Sequence, residues 1–506
     1  MSYWVIVGIL TVLALIVGVG LYSGRKVRSA RDFLSGGGKA GPLLVCGAIL
    51  GSLVSSQATI GTAQLAFHYG LAAWWFTLGS GIGCLFLAVG YAARLRRSNC
   101  ITELQIIAGE YGALAGSLGS ILCSIGIFIS VLAQVVACVG LVSVLFPRIS
   151  TVGAAALSIV LMCVYVIFGG AWGAGMGGVI KLLLLCFTSL LGLVYALAAC
   201  GGPSGLWSQL TALFTATALG AVQPSANGLS ALHTAGDVSL RFLNLVARGP
   251  AKDIGSGLSL LLGVLSTQTY AQAIWSAKAD RAAKQGALLS ACLIPPIGIG
   301  GICIGLFMRS HYLLAAEVSA LEASGAIVPD LPVLAGTIQV FPTFVLDHLP
   351  PLVAGIVLGT LLITVVGGGA GLSLGMATIL VKDILKRISH RFDAPERELI
   401  AVRGAIAVIL LTAGCITIFA SGSTINDLGF LSMGLRGSVV FLPLTCALWL
   451  PGRIDRQGIL ASMVLSPLTI LAAKAAALPI DSLFVGLAVS ALFCLAGFFR
   501  RQRHMA

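Results

Sequence analysis

Apolar runs of about 20 residues follow one another along the whole chain, and this repetition restricts the fold more than any other feature. Thirteen such spans are expected, roughly 3–22, 42–68, 71–93, 116–146, 151–168, 176–200, 256–276, 286–308, 350–382, 402–421, 427–450, 458–477 and 480–499. Each can cross a hydrocarbon core of about 30 Å. Inside lipid every backbone N–H and C=O must be paired within its own segment, so the spans are helices and the fold class is an all-α polytopic membrane protein. Charged residues make up only 9% of the chain, against about 25% in a soluble domain. The first span has a basic flank and no cleavage site, and is expected to be retained rather than removed as a signal peptide.

The net charge of +13 would suit a nucleic-acid partner if the basic residues formed a patch, but they do not. With the N-terminus outside and thirteen crossings, 22 of the 30 Lys and Arg residues fall on inside segments, among them Arg94, Arg96, Arg97, Lys278, Arg281, Lys382, Arg387 and Arg500. Five fall outside: Arg148, Arg241, Arg248, Lys252 and Arg309. This asymmetry is the positive-inside rule. It predicts a bacterial inner-membrane protein with its C-terminus in the cytoplasm, lipid as the surrounding partner and no nucleic acid. The 13 cysteines, such as Cys46, Cys84, Cys163 and Cys303, lie mostly within spans without metal-ligand spacing, as small buried apolar side chains do.

The expected organisation is an N-terminal extra helix with a basic loop (1–40), a first five-helix unit (41–200), an extracellular loop with short helices (201–255), a second five-helix unit (256–450), and two C-terminal helices with a basic tail (451–506). The two units share a faint repeat. Span two carries Ser55-Ser56-Gln57-Ala58-Thr59, and span seven carries Ser266-Thr267-Gln268-Thr269. Five spans separate the clusters, so they enter the membrane from opposite sides, as in inverted-topology carriers whose leading helices break near the midplane. Hydroxyls also bond back onto their own helix. Two matched clusters, each with a Gln, favour a binding site over that alternative.

Several stretches together resemble the sodium–solute symporter family, which has a LeuT-type 5+5 inverted repeat, here with one extra N-terminal and two extra C-terminal helices. They are Asp32-Phe33-Leu34-Ser35-Gly36-Gly37-Gly38, Ile101-Thr102-Glu103-Leu104, Glu110-Tyr111-Gly112, Phe168-Gly169-Gly170-Ala171-Trp172, Tyr270-Ala271-Gln272 and Leu380-Val381-Lys382-Asp383-Ile384. Gln134 sits where core helix 3 of the family often carries Gln. The resemblance implies a substrate site between core helices 1, 3, 6 and 10, alternating access, and sodium coupling.

At the family's cation site the chain departs from the pattern. Helix 8 of the family supplies a Ser-Thr pair and a later Ser; counting back from Asp383, those positions are Gly367, Gly368 and Gly371. Helix 5 usually carries Thr-Asp and then Gln; here the stretch is Gly177-Gly178-Val179-Ile180-Lys181. An ionisable group within the membrane is read as functional by default. The Lys181 ammonium is expected to stand in or beside the vacant cation position, donating to helix 1 carbonyls near Gly51 and Val54, as tethered cations do in the wider superfamily. The alternative is that Lys181 snorkels to the cytoplasmic surface. No cofactor is implied; sodium and a proton both stand as coupling ions.

Arg436 lies about ten residues into core helix 10, too deep for easy snorkelling. It would either pair with an anionic substrate group, since guanidinium grips carboxylate bidentately, or bond the broken helices as a gate. His68 reads as packing or gating, and Lys474 as a snorkelling end residue. The expected solute ligands are Ser55, Ser56, Gln57, Gln134, Ser266, Thr267, Gln268 and Arg436. The leading function is a secondary transporter for a small polar or anionic organic solute. A membrane sensor that keeps the transporter fold is the alternative. A channel would show repeated pore-lining rings, and an intramembrane enzyme would show paired catalytic groups. Neither pattern is present, and the sequence sets no oligomeric state.

Overall fold

The computed structural model describes residues 2–24, 38–146, 148–216, 238–323, 325, 327–392, 394–419, 425–476 and 481–505. The expected motif at Asp32–Gly37 lies outside these residues, as does 217–237 of the external loop. Among the described residues, nine helices are long and apolar enough to cross a membrane, and shorter apolar helices accompany them. Large apolar side chains such as Val89, Leu183, Leu190 and Val160 stand exposed on the outer surface, which is stable only where lipid replaces water.

Helix α1 (Tyr3–Gly24) leads the chain. A first interrupted helix follows: α2 (Pro42–Leu53) ends at Leu53, and α3 (Ile60–Tyr69) resumes after six residues that are not helical. Helix α4 (Trp75–Phe86) continues through a π-helical turn at Leu87–Tyr91 and the short helix Ala92–Arg97. Helix α5 (Glu103–Tyr111) is capped by Thr102, whose hydroxyl accepts from Gln105 N at 3.1 Å. Helix α6 (Ala113–Leu145) starts from Gly112, held at φ 90°, a left-handed angle that glycine tolerates.

Helix α7 (Thr151–Ala199) covers both expected spans, 151–168 and 176–200, as two apolar arms, Thr151–Val166 and Gly177–Ala199. It is sharply bent between them. A Cβ on Gly177 would lie 2.8 Å from Tyr165 Oη, although twelve residues of straight helix rise about 18 Å. The two arms therefore turn back toward one another.

The second half begins with α8 (Pro203–Ala216), the one-turn helix Val238–Phe242, and a second interrupted helix. Helix α9 (Pro250–Leu265) stops at Ser266-Thr267, and α10 (Gln268–Trp275) resumes. This helix starts six residues earlier than the sequence suggested, because Pro250 is at its first turn, where a missing N–H costs nothing. Helix α11 (Asp280–His311) follows, then α12 (Ala315–Ala323), a two-residue parallel strand pair (Leu313–Leu314 with Val333–Leu334) and α13 (Val340–His348). Helix α14 (Pro351–Ile379) runs into a π-helical turn at Leu380–Leu385. Helices α15 (Pro395–Phe419), α16 (Ile425–Trp449), α17 (Arg456–Ala475) and α18 (Ser482–Met505) complete the chain.

The two interrupted helices run antiparallel. Ala40, just before α2, exchanges backbone bonds with the end of α10: its N donates to Ser276 O at 2.8 Å, and Lys278 N donates to its carbonyl at 2.9 Å. At the opposite end, Gly70 after α3 packs against the Phe242 backbone so closely that a Cβ would collide with Phe242 O. Small residues permit the tight crossings elsewhere, as membrane helix packing requires. A Cβ on Gly8 of α1 would lie 2.7 Å from Ile356 N of α14, and one on Gly458 of α17 would lie 2.8 Å from Gly497 Cα of α18.

Candidate functional site at the two helix breaks

A broken helix leaves backbone groups without their usual partners, and in lipid something must satisfy them. At the first break that role falls to Gln134 of α6. Its Oε1 accepts from Ser56 N at 3.2 Å and from Ser56 Oγ at 2.8 Å. Its Nε2 donates to Ser55 Oγ at 3.0 Å and to Gln57 Oε1 at 2.6 Å, and Ser55 Oγ itself donates to Gln57 Oε1 at 2.5 Å. Thr59 Oγ1 returns to Ser55 O at 3.1 Å and Thr62 Oγ1 to Gln57 O at 3.0 Å. Four of the expected residues, Ser55, Ser56, Gln57 and Gln134, thus form one buried network.

The second break is held by Arg436 of α16, which is 0% exposed. Its Nη1 donates to Thr267 Oγ1 at 2.9 Å, its Nε to Ser432 O at 3.1 Å, and its Nη2 to Ser432 Oγ at 3.0 Å and Ser130 Oγ at 3.2 Å. Thr267 Oγ1 in turn donates to Gly263 O, and Ser432 Oγ to Gly126 O. Of the two readings left open by the sequence, this geometry matches a guanidinium spent on the broken helix. Ser266 is buried beside it with its hydroxyl unbonded. Gln268 lies apart from this set: its Nε2 donates to Ile101 O at 2.7 Å and its Oε1 accepts from Glu103 N at 3.2 Å. It ties α10 to the loop before α5.

Lys181 of α7 is 2% exposed and does not snorkel. Its Nζ donates to Gly51 O at 2.7 Å and to Thr364 O at 3.2 Å. The second carbonyl belongs to α14, where the sequence reading named Val54, which lies just past the end of α2. The ammonium therefore bridges three helices: α7, the last turn of α2 and α14. One and two turns beyond Thr364 on α14 stand its glycines. A Cβ on Gly368 would lie 2.7 Å from Ser55 Cβ and 3.1 Å from Gln134 Oε1; one on Gly371 would lie 3.2 Å from Ser52 Cβ; one on Gly367 would lie 3.5 Å from Tyr165 Oη. A sodium ion needs several oxygen ligands. Here the hydroxyls are missing, the helix 1 carbonyl already accepts from an ammonium, and a hydroxyl-bearing side chain at 368 would collide. These residues do not fit a sodium ion at this position.

The face that carries most of the basic residues is closed by a second set of contacts. Arg96 and Arg97 pair with Asp280 at 3.0 and 2.7 Å. Trp275 Nε1 donates to Leu95 O at 2.6 Å, and Asp383 accepts from Thr102 Oγ1 at 3.1 Å and Gln105 Nε2 at 3.2 Å. Glu103 is buried in this region, and burial pushes its carboxyl up to about 8 while Arg436 pulls the other way. Glu103 entered the sequence reading only as part of the Ile101–Leu104 stretch, and Ser130, Thr364 and Ser432 were not singled out. Nothing in their local pattern marks them, and only the fold brings them to the breaks.

Set against known proteins, the profile of the sodium:solute symporter family matches residues 33–466. The chain belongs to the sodium:solute symporter family. A Bacillus subtilis (strain 168) protein described as the uncharacterized symporter YwcA is 23% identical over 435 residues, covering 85% of this chain and 78% of that one. Among solved structures, a Na+-coupled sialic acid symporter in a substrate-bound outward-open state aligns with a TM-score of 0.73 at 16% identity, over 99% of this chain and 98% of its own. The fold of this family member is accordingly the LeuT-type arrangement, with its interrupted helices corresponding to core helices 1 and 6. It is a multi-pass membrane protein of a transporter family.

Proposed function

We propose that this chain carries a small polar organic solute across the bacterial inner membrane by alternating access, with the Lys181 ammonium in the place of a coupling sodium ion. One observation carries the reading. Two antiparallel helices are each interrupted at a buried polar cluster, and of the expected ligands only Gln268 lies apart from these clusters. Ser55, Ser56, Gln57 and Gln134 at one break, and Ser266, Thr267 and Arg436 at the other, are the groups that exchange partners when a solute enters.

The cation reading is supported by the bridge from Lys181 to Gly51 O and Thr364 O. A tethered ammonium supplies the charge that an exchangeable ion would supply, so transport runs without sodium. It is then driven by protons or by the solute gradient alone. The basic face is taken as cytoplasmic, which places the N-terminus outside.

The test is solute uptake into proteoliposomes holding the full chain, with imposed sodium, potassium or proton gradients. Sialic acid, the substrate named for the structural neighbour, is the first solute to try, followed by a metabolite panel. Uptake unaffected by replacing sodium with potassium supports the proposal. Strict sodium dependence defeats the cation reading, and absence of uptake or counterflow for every solute defeats the carrier reading.

A further inference from the structure

Buried polar atoms in membrane helices are normally bonded, because an unpaired one is costly. Around the two breaks most are. Gln134 uses both amide atoms within the first network, and each nitrogen of Arg436 has a partner. Ser266, Thr269 and Thr364 each leave one hydroxyl unbonded, whereas Asn426 leaves a whole amide. It is 1% exposed, and neither its Oδ1 nor its Nδ2 has a hydrogen-bond partner.

Its position is equally specific. Asn426, Gly429, Met433 and Arg436 follow at intervals of three, four and three residues, so they form one stripe along α16. That stripe faces both breaks. Asn426 packs on the first turn of α3, where a Cβ on Gly61 would collide with Asn426 Oδ1. A Cβ on Gly429 would lie 3.1 Å from Gln57 Cγ and 3.3 Å from Phe76 Cε2. Met433 packs against Gly263, and Arg436 reaches Thr267. Phe430 adds a ring 5.8 Å from that of Phe76. Of the buried cations near the breaks, Lys181 and Arg436 are spent on protein oxygens, and Arg248, 5.3 Å from the Phe430 ring, pairs with Asp253 at 2.6 Å.

Building on the carrier reading, we propose that Asn426 is a solute-binding residue and that the solute is neutral, presenting an adjacent hydrogen-bond donor and acceptor to this amide. One carboxamide offers one acceptor and two donors, which matches a hydroxyl, amide or ureide group. The Phe76–Phe430 pair receives an apolar face, and Gln57 lies next along the stripe. An anion would meet cations already bonded to protein oxygens; of Lys181, Arg436 and Arg248, only Arg248 keeps an unbonded nitrogen, its Nη1, and its charge is paired with Asp253.

Two measurements on the purified full-length protein test this. The first needs no solute: Asn426→Leu removes two unbonded buried polar atoms at similar volume, so it is expected to melt at a higher temperature than the wild type. The second is a thermal-shift panel of acetamide, urea, myo-inositol and uridine against acetate, lactate, glucuronate and sialic acid. At least one neutral compound is expected to stabilise the wild type, no anion is, and Asn426→Leu and Asn426→Ala are expected to weaken that binding at least tenfold. Asn426→Ala keeps the comparison available if Leu disturbs the packing on Gly61. Stabilisation by anions alone, or by no neutral compound of the panel, overturns the inference, as does neutral binding indifferent to both variants. If counterflow of a bound solute persists in those cases, the carrier reading stands and only the role of Asn426 falls.

Discussion

Replacing Lys181 by alanine separates a tethered cation from a merely buried lysine. The Nζ bond to Gly51 O, at 2.7 Å, is the stronger of its two. In a continuous helix that carbonyl would accept from the amide of Ser55, but α2 ends at Leu53. Without the ammonium the carbonyl is stranded. A hydrogen bond to a charged group is worth about 1.5–3 kcal/mol net, and a stranded buried acceptor costs about 1–3 kcal/mol. Thr364 O, at 3.2 Å, sits inside α14 and adds little. Returning the ammonium to water offsets part of the loss, since burying such an ion costs several kcal/mol. We expect Lys181→Ala to lose about 2–3 kcal/mol, with the stranded Gly51 carbonyl as the largest part. An unfolding entropy of about 2 cal/mol/K per residue makes that a fall of about 2–3 °C for a chain of this length. The assay is a melting curve in detergent, in KCl and in NaCl at equal chloride. Wild type is expected to melt alike in both salts. Lys181→Ala is expected to melt lower in both salts and to gain nothing from NaCl, because emptying the position supplies none of the helix 8 hydroxyls that a sodium ion would need. The reasoning fails if the wild type is itself stabilised by sodium over potassium, or if the variant melts like the wild type in KCl.

Gln134→Leu strips the first break of the amide that bonds Ser55, Ser56 and Gln57. Over its four bonds, at about 1 kcal/mol net per bond, it should cost about 4 kcal/mol, read as an earlier urea or thermal midpoint; a change below about 1 kcal/mol would mean that water replaces the amide. Glu103 holds its proton more tightly in the folded protein, up to about 8 against an ordinary 4.5. Its contribution to stability is therefore fully present below pH 4.5 and is lost as pH rises through about 8. Glu103→Gln should leave the melting temperature unchanged at pH 5 and raise it at pH 8; equal pH profiles for both proteins would count against a buried carboxyl there. Gly368→Ser restores a hydroxyl that the family pattern carries, yet its Cβ would press on Ser55. Overpacking of this kind costs about 1–3 kcal/mol, so the variant should melt earlier in KCl and gain nothing from NaCl, and a sodium-dependent gain would show room for the ion.

Much of this was legible in the sequence, and for physical reasons. A lipid-facing helix must be apolar over its whole length, so the Ser-Ser-Gln and Ser-Thr-Gln clusters stood out, and both coincide with interruptions in the structure. Lys181 was visible because a charge in an apolar run has few places to go. The turn within α7 was legible because glycines, among them Gly169, Gly170, Gly173, Gly177 and Gly178, separate its two apolar arms. Properties that depend on partners were not legible. Gln268 has the same composition cue as Gln57, yet a neighbouring loop takes both its amide atoms. Asn426 sits among ordinary polar residues at a helix start, and only the lack of any partner marks it. The glycines of α14 show the same limit in a more useful form. Read along the chain, Gly367, Gly368 and Gly371 are lost ligands; read in space, Gly368 is the contact that lets α14 approach Ser55 and Gln134. On the proposed mechanism those are one change. A bound sodium ion needs hydroxyls around it and space for them, whereas an ammonium anchored on α7 brings its charge without that shell. Once Lys181 supplies the charge, α14 can close on the first break, and the packing of these helices no longer follows the sodium concentration outside the cell.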